Sequence, residues 1–345
     1  MSSLAAVARP GGAVRGSTLV RSLGLVIGLA VVLVLVTDAL GSYQQLQLAQ
    51  GAYYFAALAG LTVLIGLSGK ISLGHGAFMA VGAYTVMLLV GQGWALLPAV
   101  AAAAIVSAAI GIPVGIAASR LEGPYLAGAT LAFAVGLPAL ADRFPSLLGG
   151  ANGLTINPPA VPSFLGANVS LEQWQAWIGC AGALVALFGL YNLVHSGVGR
   201  SLRATRDDEI AAALCGLDVA RQQTLAFVVS ASCAGLAGGL YAAVLNLASP
   251  GAFPLTLSLS LLTGVVVGGL GSLAGAAWGA AILVLLPSWT NSLAHSLSLG
   301  TNAQGNLPFA IYGLVLIGLM LAWPSGIQGG LGALMRYMSN KRRRG

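Results

Sequence analysis

Residues 223–247 read QTLAFVVSASCAGLAGGLYAAVLNL and carry no formal charge. They belong to a charge-free tract from Gln222 to Met335, and in a second tract, Ala39 to Ser119, Lys70 is the one formal charge. A charged side chain at the centre of a bilayer costs about 2.5–3.5 kcal/mol on insertion scales. Only 7% of the residues are charged, against about 25% in soluble domains. Lipid rather than water must therefore surround most of this chain.

A helix that crosses a bilayer needs about 20 mostly apolar residues. The region 255–289 is too long for one such helix and is interrupted by the glycine-rich string GGLGS at 268–272, so we predict two helices there. The predicted fold class is all-α, a polytopic membrane helix bundle of about 10 transmembrane segments. The predicted spans are 22–41, 51–68, 73–91, 94–118, 124–141, 174–194, 223–247, 255–270, 273–289 and 307–323.

Basic residues indicate which helix ends face the cytoplasm, because positive charge is retained on that side. The net charge is +7, and the basic residues concentrate in a tail at 1–21, a loop at 195–222 and a tail at 336–345. An even number of spans then places both termini in the cytoplasm, with the transmembrane domain at 22–335 and an external loop at 142–173. We expect no nucleic-acid partner, because no basic soluble domain with interleaved aromatic residues is present to bind one.

The loop 195–222 contains a short helix-forming string, EIAAALCG, at 209–216. Asp207 and Asp208 stand where the dipole of a helix N-terminus favours negative charge. Gly216 stands where such a helix would end. This helix could lie in the groove of another protein; the alternative is an ordinary solvated loop. Its apolar stripe would consist of Ile210, Ala213, Leu214 and Leu217.

Two glycine-rich breaks between predicted helices, at 72–76 and at 268–272, are candidates for lining a solute route. Together they suggest a weak internal repeat. A broken helix frees backbone groups, which a membrane tolerates where protein or a water-filled cavity satisfies them. A helix N-terminus beside a cavity also favours a carboxylate. The alternatives are a plain turn at each break and, for His75, a turn residue with satisfied hydrogen bonds. The candidate pathway residues are Ser72, Gly74, His75, Gly76, Gly268, Gly269 and Gly271, with Thr130 and Asn152 as further candidates.

The sequence contains no motif for catalysis. It lacks the phosphate-binding glycine loop that ends in Lys-Ser/Thr, so ATP would have to be hydrolysed by another subunit. The three histidines and the three cysteines are too dispersed to predict a metal site or a disulfide framework. We expect no catalytic residue, no metal and no cofactor in this chain.

The charged loop resembles the EAA signature of ABC importer permeases through Glu209-x-Ala211-Ala212-x-x-x-Gly216. Its wider string, from Gly199 onward, is similar to the version in branched-chain amino acid permeases of the Liv type. The Gly-Pro pair at 123–124 departs from that family, in which we expect a larger residue before the tyrosine. Other strings resemble the family in order: LxGxxGxISLGHGAF at 64–78, GAY at 82–84, GPYxAxxTLAF at 123–133, GGxNG at 149–153, VGGLGSxxG at 267–275 and PSGI at 324–327.

This resemblance favours an M-like subunit of the bacterial inner membrane. It implies pairing with a second, homologous H-like permease and docking on two cytoplasmic ABC ATPase subunits, which bind the ATP and Mg. It also implies delivery of the solute by an extracytoplasmic solute-binding protein. We expect the alanine pair to allow close approach to a partner groove. The residues that the resemblance assigns to coupling are Glu209, Ala211, Ala212 and Gly216, flanked by Arg203, Arg206, Asp207 and Asp208.

The sequence leaves the solute open. Branched-chain or related amino acids are expected, and urea, short amides, aromatic acids or sugars are alternatives within the family. An ion-coupled secondary transporter would need an ionisable residue inside the membrane, and the candidates, Asp38 and Lys70, lie near helix ends. An intramembrane enzyme would need a nucleophile–base pair or a metal set, which the sequence does not offer.

Overall fold

The structure is a computed structural model of the chain. Most of the residues that it describes are helical. The two strands assigned among them have two residues each: β1 (Leu154–Thr155) and β2 (Leu247–Ala248). The architecture is therefore the predicted all-α bundle with one short ladder. The described residues are 13–121, 123–157, 161, 169–296, 311, 313, 314, 317, 318, 321, 323 and 326–331.

Twelve α-helices are assigned among the described residues between 13 and 296. Seven of them, α1, α2, α4, α5, α7, α10 and α12, are long and apolar enough to cross a membrane, as is the segment Pro250–Gly268 that contains α11, whereas α3 is shorter. The helices are α1 (Ala13–Ala39), α2 (Ser42–Ser68), α3 (His75–Gly91), α4 (Leu96–Ala118), α5 (Pro124–Arg143), α6 (Pro145–Leu148), α7 (Leu171–His195), α8 (Gly197–Asp207), α9 (Glu209–Leu214), α10 (Val219–Leu245), α11 (Leu255–Gly268) and α12 (Leu273–Ser296).

A helix stands at each of the first nine predicted spans, and the predicted break between α11 and α12 is confirmed. The first two helices begin earlier than predicted, so part of the expected tail 1–21 is helical. The start of α2 was missed because its glutamines look unlike a membrane span. In the structure Gln45 is buried, and its Nε2 donates to the Thr37 and Leu40 carbonyls at 3.0 and 3.1 Å.

The predicted C-terminal span and tail lie mostly outside the described residues. Within the predicted span 307–323 the helical described residues are 311, 313, 314, 317, 318 and 321, and the others except 323 lie outside the described residues. The basic tail 336–345 lies wholly outside them. In the loop 142–173, residues 158–160 and 162–168 are also outside, and the described part includes the short helix α6 and strand β1.

The centre of the bundle is built from α2 and α10. About four fifths of the span in α2 is buried, 78%, against 6% of the span in α1, whose apolar side chains face outward as lipid-facing residues do. Small residues bring the inner helices together: Gly82 of α3 lies against the backbone of Gly235 in α10, and Gly111 of α4 faces Ala231. Close backbone approach of this kind drives helix association in membranes, where apolar burial does not.

The bundle has two distinguishable ends. The charged end is defined by α8 and α9. The end of α2 and the turn from α11 into α12 lie at the same end, since Gly66 of α2 contacts both Arg206 of α8 and Gly271. At the opposite, ladder end, β1 pairs antiparallel with β2 and ties the segment after α5 to the end of α10. The two ends therefore differ: the charged end carries the helices α8 and α9, and the ladder end carries the backbone pairing of β1 with β2.

Candidate functional site

Helix α9 is fixed at both ends by its own sequence. The Asp208 carboxylate accepts hydrogen bonds from the first helix amides, those of Ile210 and Ala211, at 2.9 Å each. Gly216 has a φ of 84°, which a residue with a side chain rarely adopts. This turn lets the amides of Gly216 and Leu217 donate to the carbonyls of Ala213 and Ala212 in the last turn of the helix. The structure therefore contains the predicted short helix with its predicted ends.

Three of the four residues of the predicted apolar stripe, Ile210, Ala213 and Leu214, lie on α9 and are exposed, whereas Leu217 follows the helix and is half-buried. Ile210 is 77% exposed and Leu214 is 85% exposed, and Ala211 lies on the surface beside them. Ala212 differs from expectation, because it is only 4% exposed and packs toward the chain's own interior. Of the alanine pair, Ala211 alone is presented to the outside.

The flanking arginines bind backbone carbonyls of the chain itself. Arg203 Nη2 donates to the Val194 carbonyl at 3.0 Å, and Arg206 Nη1 donates to the Gly66 carbonyl at 2.6 Å. Arg206 also donates through Nε and Nη2 to one Asp207 oxygen, at 3.0 and 2.7 Å. These contacts anchor α8 on the ends of α7 and α2 and leave Asp207 exposed.

The carboxylate of Glu209 also points toward the body of the chain. Its Oε1 lies 3.3 Å from Lys70 Nζ and accepts a hydrogen bond from Gln223 Nε2 at 2.8 Å. Gln223 is buried on α10, and Lys70 belongs to the segment between α2 and α3. Glu209 therefore joins α9 to two other elements of the same chain.

The segment 69–74 runs from the charged end into the bundle. Ile71 is exposed, whereas Ser72 and His75 are fully buried. His75 Nε2 lies 2.9 Å from the carbonyl oxygen of Ala57, which is eleven residues before the end of α2 at Ser68, or about 16 Å along the helix axis. Helix α3 thus begins inside the bundle, which explains why it is shorter than the other spans.

Because α3 begins inside the bundle, the backbone amides around its start have no partners within a helix. Side-chain hydroxyls accept their hydrogen bonds, as a lipid environment requires. The Leu73 amide donates to Thr130 Oγ1 at 3.1 Å, and the Gly76 amide donates to Ser258 Oγ at 3.0 Å. The Gly74 amide donates to Ser72 Oγ at 3.3 Å, and His75 Nδ1 lies 3.5 Å from Ser230 Oγ. We call the buried side chains of this set the inner cluster: Ser72, His75, Thr130, Ser230 and Ser258.

The second predicted break lies elsewhere, at the charged end. Gly268 packs on the backbone of Gly275, and Gly269 lies against Gly326. Gly271 is exposed, and its backbone lies against Gly66 at the end of α2. The structure does not bring the two breaks together, and close backbone packing accounts for the glycines of the second.

The chain matches the family model described as branched-chain amino acid transport system / permease component over residues 44–323, which is most of its length. The chain belongs to this family. The predicted resemblance to Liv-type permeases is thereby confirmed. Eight apolar stretches among the described residues are long enough to cross a membrane, and the permease is a multi-pass protein of the inner membrane.

The relatives favour the M-like type. The permease is 35% identical over 253 residues to the high-affinity branched-chain amino acid transport system permease protein LivM of Salmonella typhimurium, and 34% identical to that of Escherichia coli. These alignments cover 66% of this chain and 58% of each relative, so the chain matches less than two thirds of their length. Identity to LivH of Escherichia coli is 26% over 300 residues, covering 81% of this chain and 92% of that protein. No solved structure matches the permease.

Of the inner cluster, Ser72, His75 and Thr130 are predictable from the sequence, whereas Ser230 and Ser258 are not. Ser230 and Ser258 carried no signal, since a lone serine in an apolar helix commonly bonds its own backbone. Lys70 did carry one, as the single charge in a long apolar tract. Asn152 lies exposed at the ladder end, away from the cluster.

Proposed function

We propose that the chain is the transmembrane subunit of an ATP-driven ABC importer and forms half of a pathway for branched-chain or related amino acids. Family membership and the names of its relatives support this solute class. The observation that carries the proposal is helix α9, which is capped at both ends and exposes Ile210 and Leu214. Large apolar side chains exposed on an otherwise charged segment are typical of a protein contact surface.

We assign the charged end to the cytoplasm and the ladder end to the outside. The basic residues of 195–222 support this orientation. Ten spans, including 307–323, would then place both termini in the cytoplasm. A solute-binding protein would deliver the amino acid at the ladder end, and a second, H-like permease would complete the pathway.

In this proposal α9 docks on one of two cytoplasmic ATPase subunits, which bind the ATP and Mg. Ile210, Ala211, Ala213 and Leu214 would contact the ATPase, because these residues of the stripe and the alanine pair are exposed on α9. The remaining coupling residues would hold α9 in place: Arg203, Arg206, Asp207, Asp208, Glu209, Ala212 and Gly216.

For the pathway we retain the first break and not the second. The first turns of α3 and α11 meet where the Gly76 amide bonds Ser258, and helix N-termini favour the carboxylate of an amino acid. The inner cluster adds hydroxyls and an imidazole at the same place. The proposed pathway residues are Ser72, Gly74, His75, Gly76 and Thr130.

The docking proposal is tested by the variants Ile210→Ser and Leu214→Ser in the full importer complex. Both should release the ATPase subunits during purification and abolish leucine uptake, because they remove apolar contact area without disturbing the caps of α9. Leu270→Ser is the matched control, since Leu270 is exposed at the same end in the turn between α11 and α12. Retention of the ATPase by both α9 variants, with normal uptake, would refute the docking assignment.

A further inference from the structure

The end of α2 is capped from another part of the chain. The last carbonyls of a helix have no partner within it. The Ile65 carbonyl accepts from the Gly69 amide at 3.1 Å, and the Gly66 carbonyl accepts from Arg206 Nη1 at 2.6 Å. The positive guanidinium at this position also complements the negative end of the helix dipole. Arg206 thus connects α8 to the last turn of α2.

The turn that follows is shaped to receive this side chain. Gly69 has a φ of 72°, and a Cβ at Gly69 would lie 3.0 Å from Arg206 Cγ. A larger residue would therefore push the arginine off the helix end as well as strain the turn. The aliphatic part of Arg206 lies along the start of the segment 69–74.

A second contact reaches from this segment back to α9. Lys70 Nζ lies 3.3 Å from Glu209 Oε1, and the Lys70 side chain is only 13% exposed. Gln223 of α10 donates to the same oxygen. The Lys70 side chain is largely shielded from solvent, whereas the Glu209 side chain is 45% exposed. The ion pair is therefore partly buried and is screened less by salt than a fully exposed one.

These contacts join α8 and α9 to the interior by a short route. One residue, Ile71, separates Lys70 from Ser72, the first member of the inner cluster along the chain, and His75 begins α3. The segment between α2 and α3 has no regular secondary structure and is held at both ends: Lys70 pairs with Glu209 of α9, and the Leu73 amide donates to Thr130. A displacement of α9 would be carried to the first turn of α3.

We propose that the Lys70–Glu209 and Arg206–Gly66 contacts form a latch through which α9 moves the start of α3, with Lys70 as a positioning residue for transport. The inference rests on the proposed function, because it needs an ATPase that moves α9. Without the latch, the ATPase would still dock and hydrolyse ATP, but its movement would not reach the inner cluster.

The test is a charge exchange in the full importer complex, reconstituted in vesicles with leucine as the solute. Lys70→Glu and Glu209→Lys each place like charges opposite one another. Each should lower the leucine transported per ATP hydrolysed by about fivefold or more, the usual scale of coupling between sites, while the complex stays assembled. A merely structural defect would lower transport and hydrolysis together and leave their ratio unchanged.

The double variant K70E/E209K should restore the ratio toward that of the wild type. Gln223 permits the exchange, because its Oε1 is buried with no hydrogen-bond partner among the described residues and its amide can turn to accept from a lysine at position 209. Arg120→Glu is the control: Arg120 is exposed after the end of α4 and forms no ion pair with any described residue. It should leave the ratio unchanged.

Wild-type leucine transport per ATP in Lys70→Glu, or no recovery in the double variant, would overturn the latch. If Lys70→Glu does not accumulate in the membrane, Lys70→Gln, which removes the ion pair without repulsion, should still lower the ratio, and an unchanged ratio there would equally overturn it. If the proposed function itself were wrong, the Leu214→Ser complex would retain the ATPase subunits during purification, which distinguishes that failure from failure of the latch alone. A failed latch leaves the loss of ATPase in Leu214→Ser unaffected.

Discussion

The two glycine-rich breaks of the permease share a sequence pattern and have opposite structures. The first, at 72–76, ends a segment that runs inward and is bonded by Thr130 from another helix. The second, at 268–272, turns back at the charged end with backbone packed on backbone. The pattern therefore marks where a helix stops, whereas the path that follows depends on polar partners far away in the chain.

The largest loss of stability is expected at the second break, and its cause is steric. Gly268→Ala would drive a Cβ into the Gly275 backbone, so α12 would have to move away from α11. We expect the free energy of unfolding to fall by about 3 kcal/mol, at the upper end for overpacking a tight contact. Denaturant titration of the purified permease measures it. Gly136→Ala on α5 is the control, because nothing lies within 4 Å of its Cβ position; equal loss in both variants would contradict the close contact.

A smaller effect concerns the amide that the first break leaves to a side chain. Thr130→Val keeps the shape of the side chain and removes the acceptor of the Leu73 amide. We expect a loss of about 1–3 kcal/mol, the usual consequence of an unpaired buried donor, together with faster hydrogen exchange at Leu73. Thr130→Ser should retain the bond. Unchanged exchange at Leu73 in the valine variant would show that the first break does not depend on Thr130.

The smallest effect is expected at the second break. Ser272 Oγ accepts from the Gly275 amide at 3.2 Å and caps the first turn of α12. Ser272→Ala should lower the free energy of unfolding by about 1 kcal/mol, as for other lost helix caps, with little change in leucine uptake. Ser292→Ala on exposed α12 surface should lower it less. Loss of uptake in Ser272→Ala would return the second break to the pathway.

Features set by neighbouring residues were predictable from the sequence. The caps of α9 follow from Asp208 and Gly216, and the break before α12 follows from its glycines. Helix α8 was not predicted, because it contains glycines and charges; it forms with Ser196 as its N-cap and Leu202 buried against the bundle. The inner cluster could be found only in part, since Thr130, Ser230 and Ser258 come from three separate helices.

The latch could not be predicted from the sequence for the same reason. Lys70 and Glu209 are far apart in the chain, and a charge near a helix end usually faces water. The sequence indicated that Lys70 was unusual, and the structure supplied its partner.

We propose that lipid surrounds the bundle and that α9 faces the cytoplasm. Cys215 tests this proposal directly, because it is exposed just after α9 whereas Cys180 and Cys233 are buried. A membrane-impermeant maleimide should label Cys215 in inverted membrane vesicles and not in right-side-out vesicles, with Cys215→Ser as the blank. Labelling in right-side-out vesicles alone would place α9 outside the cell and contradict the account.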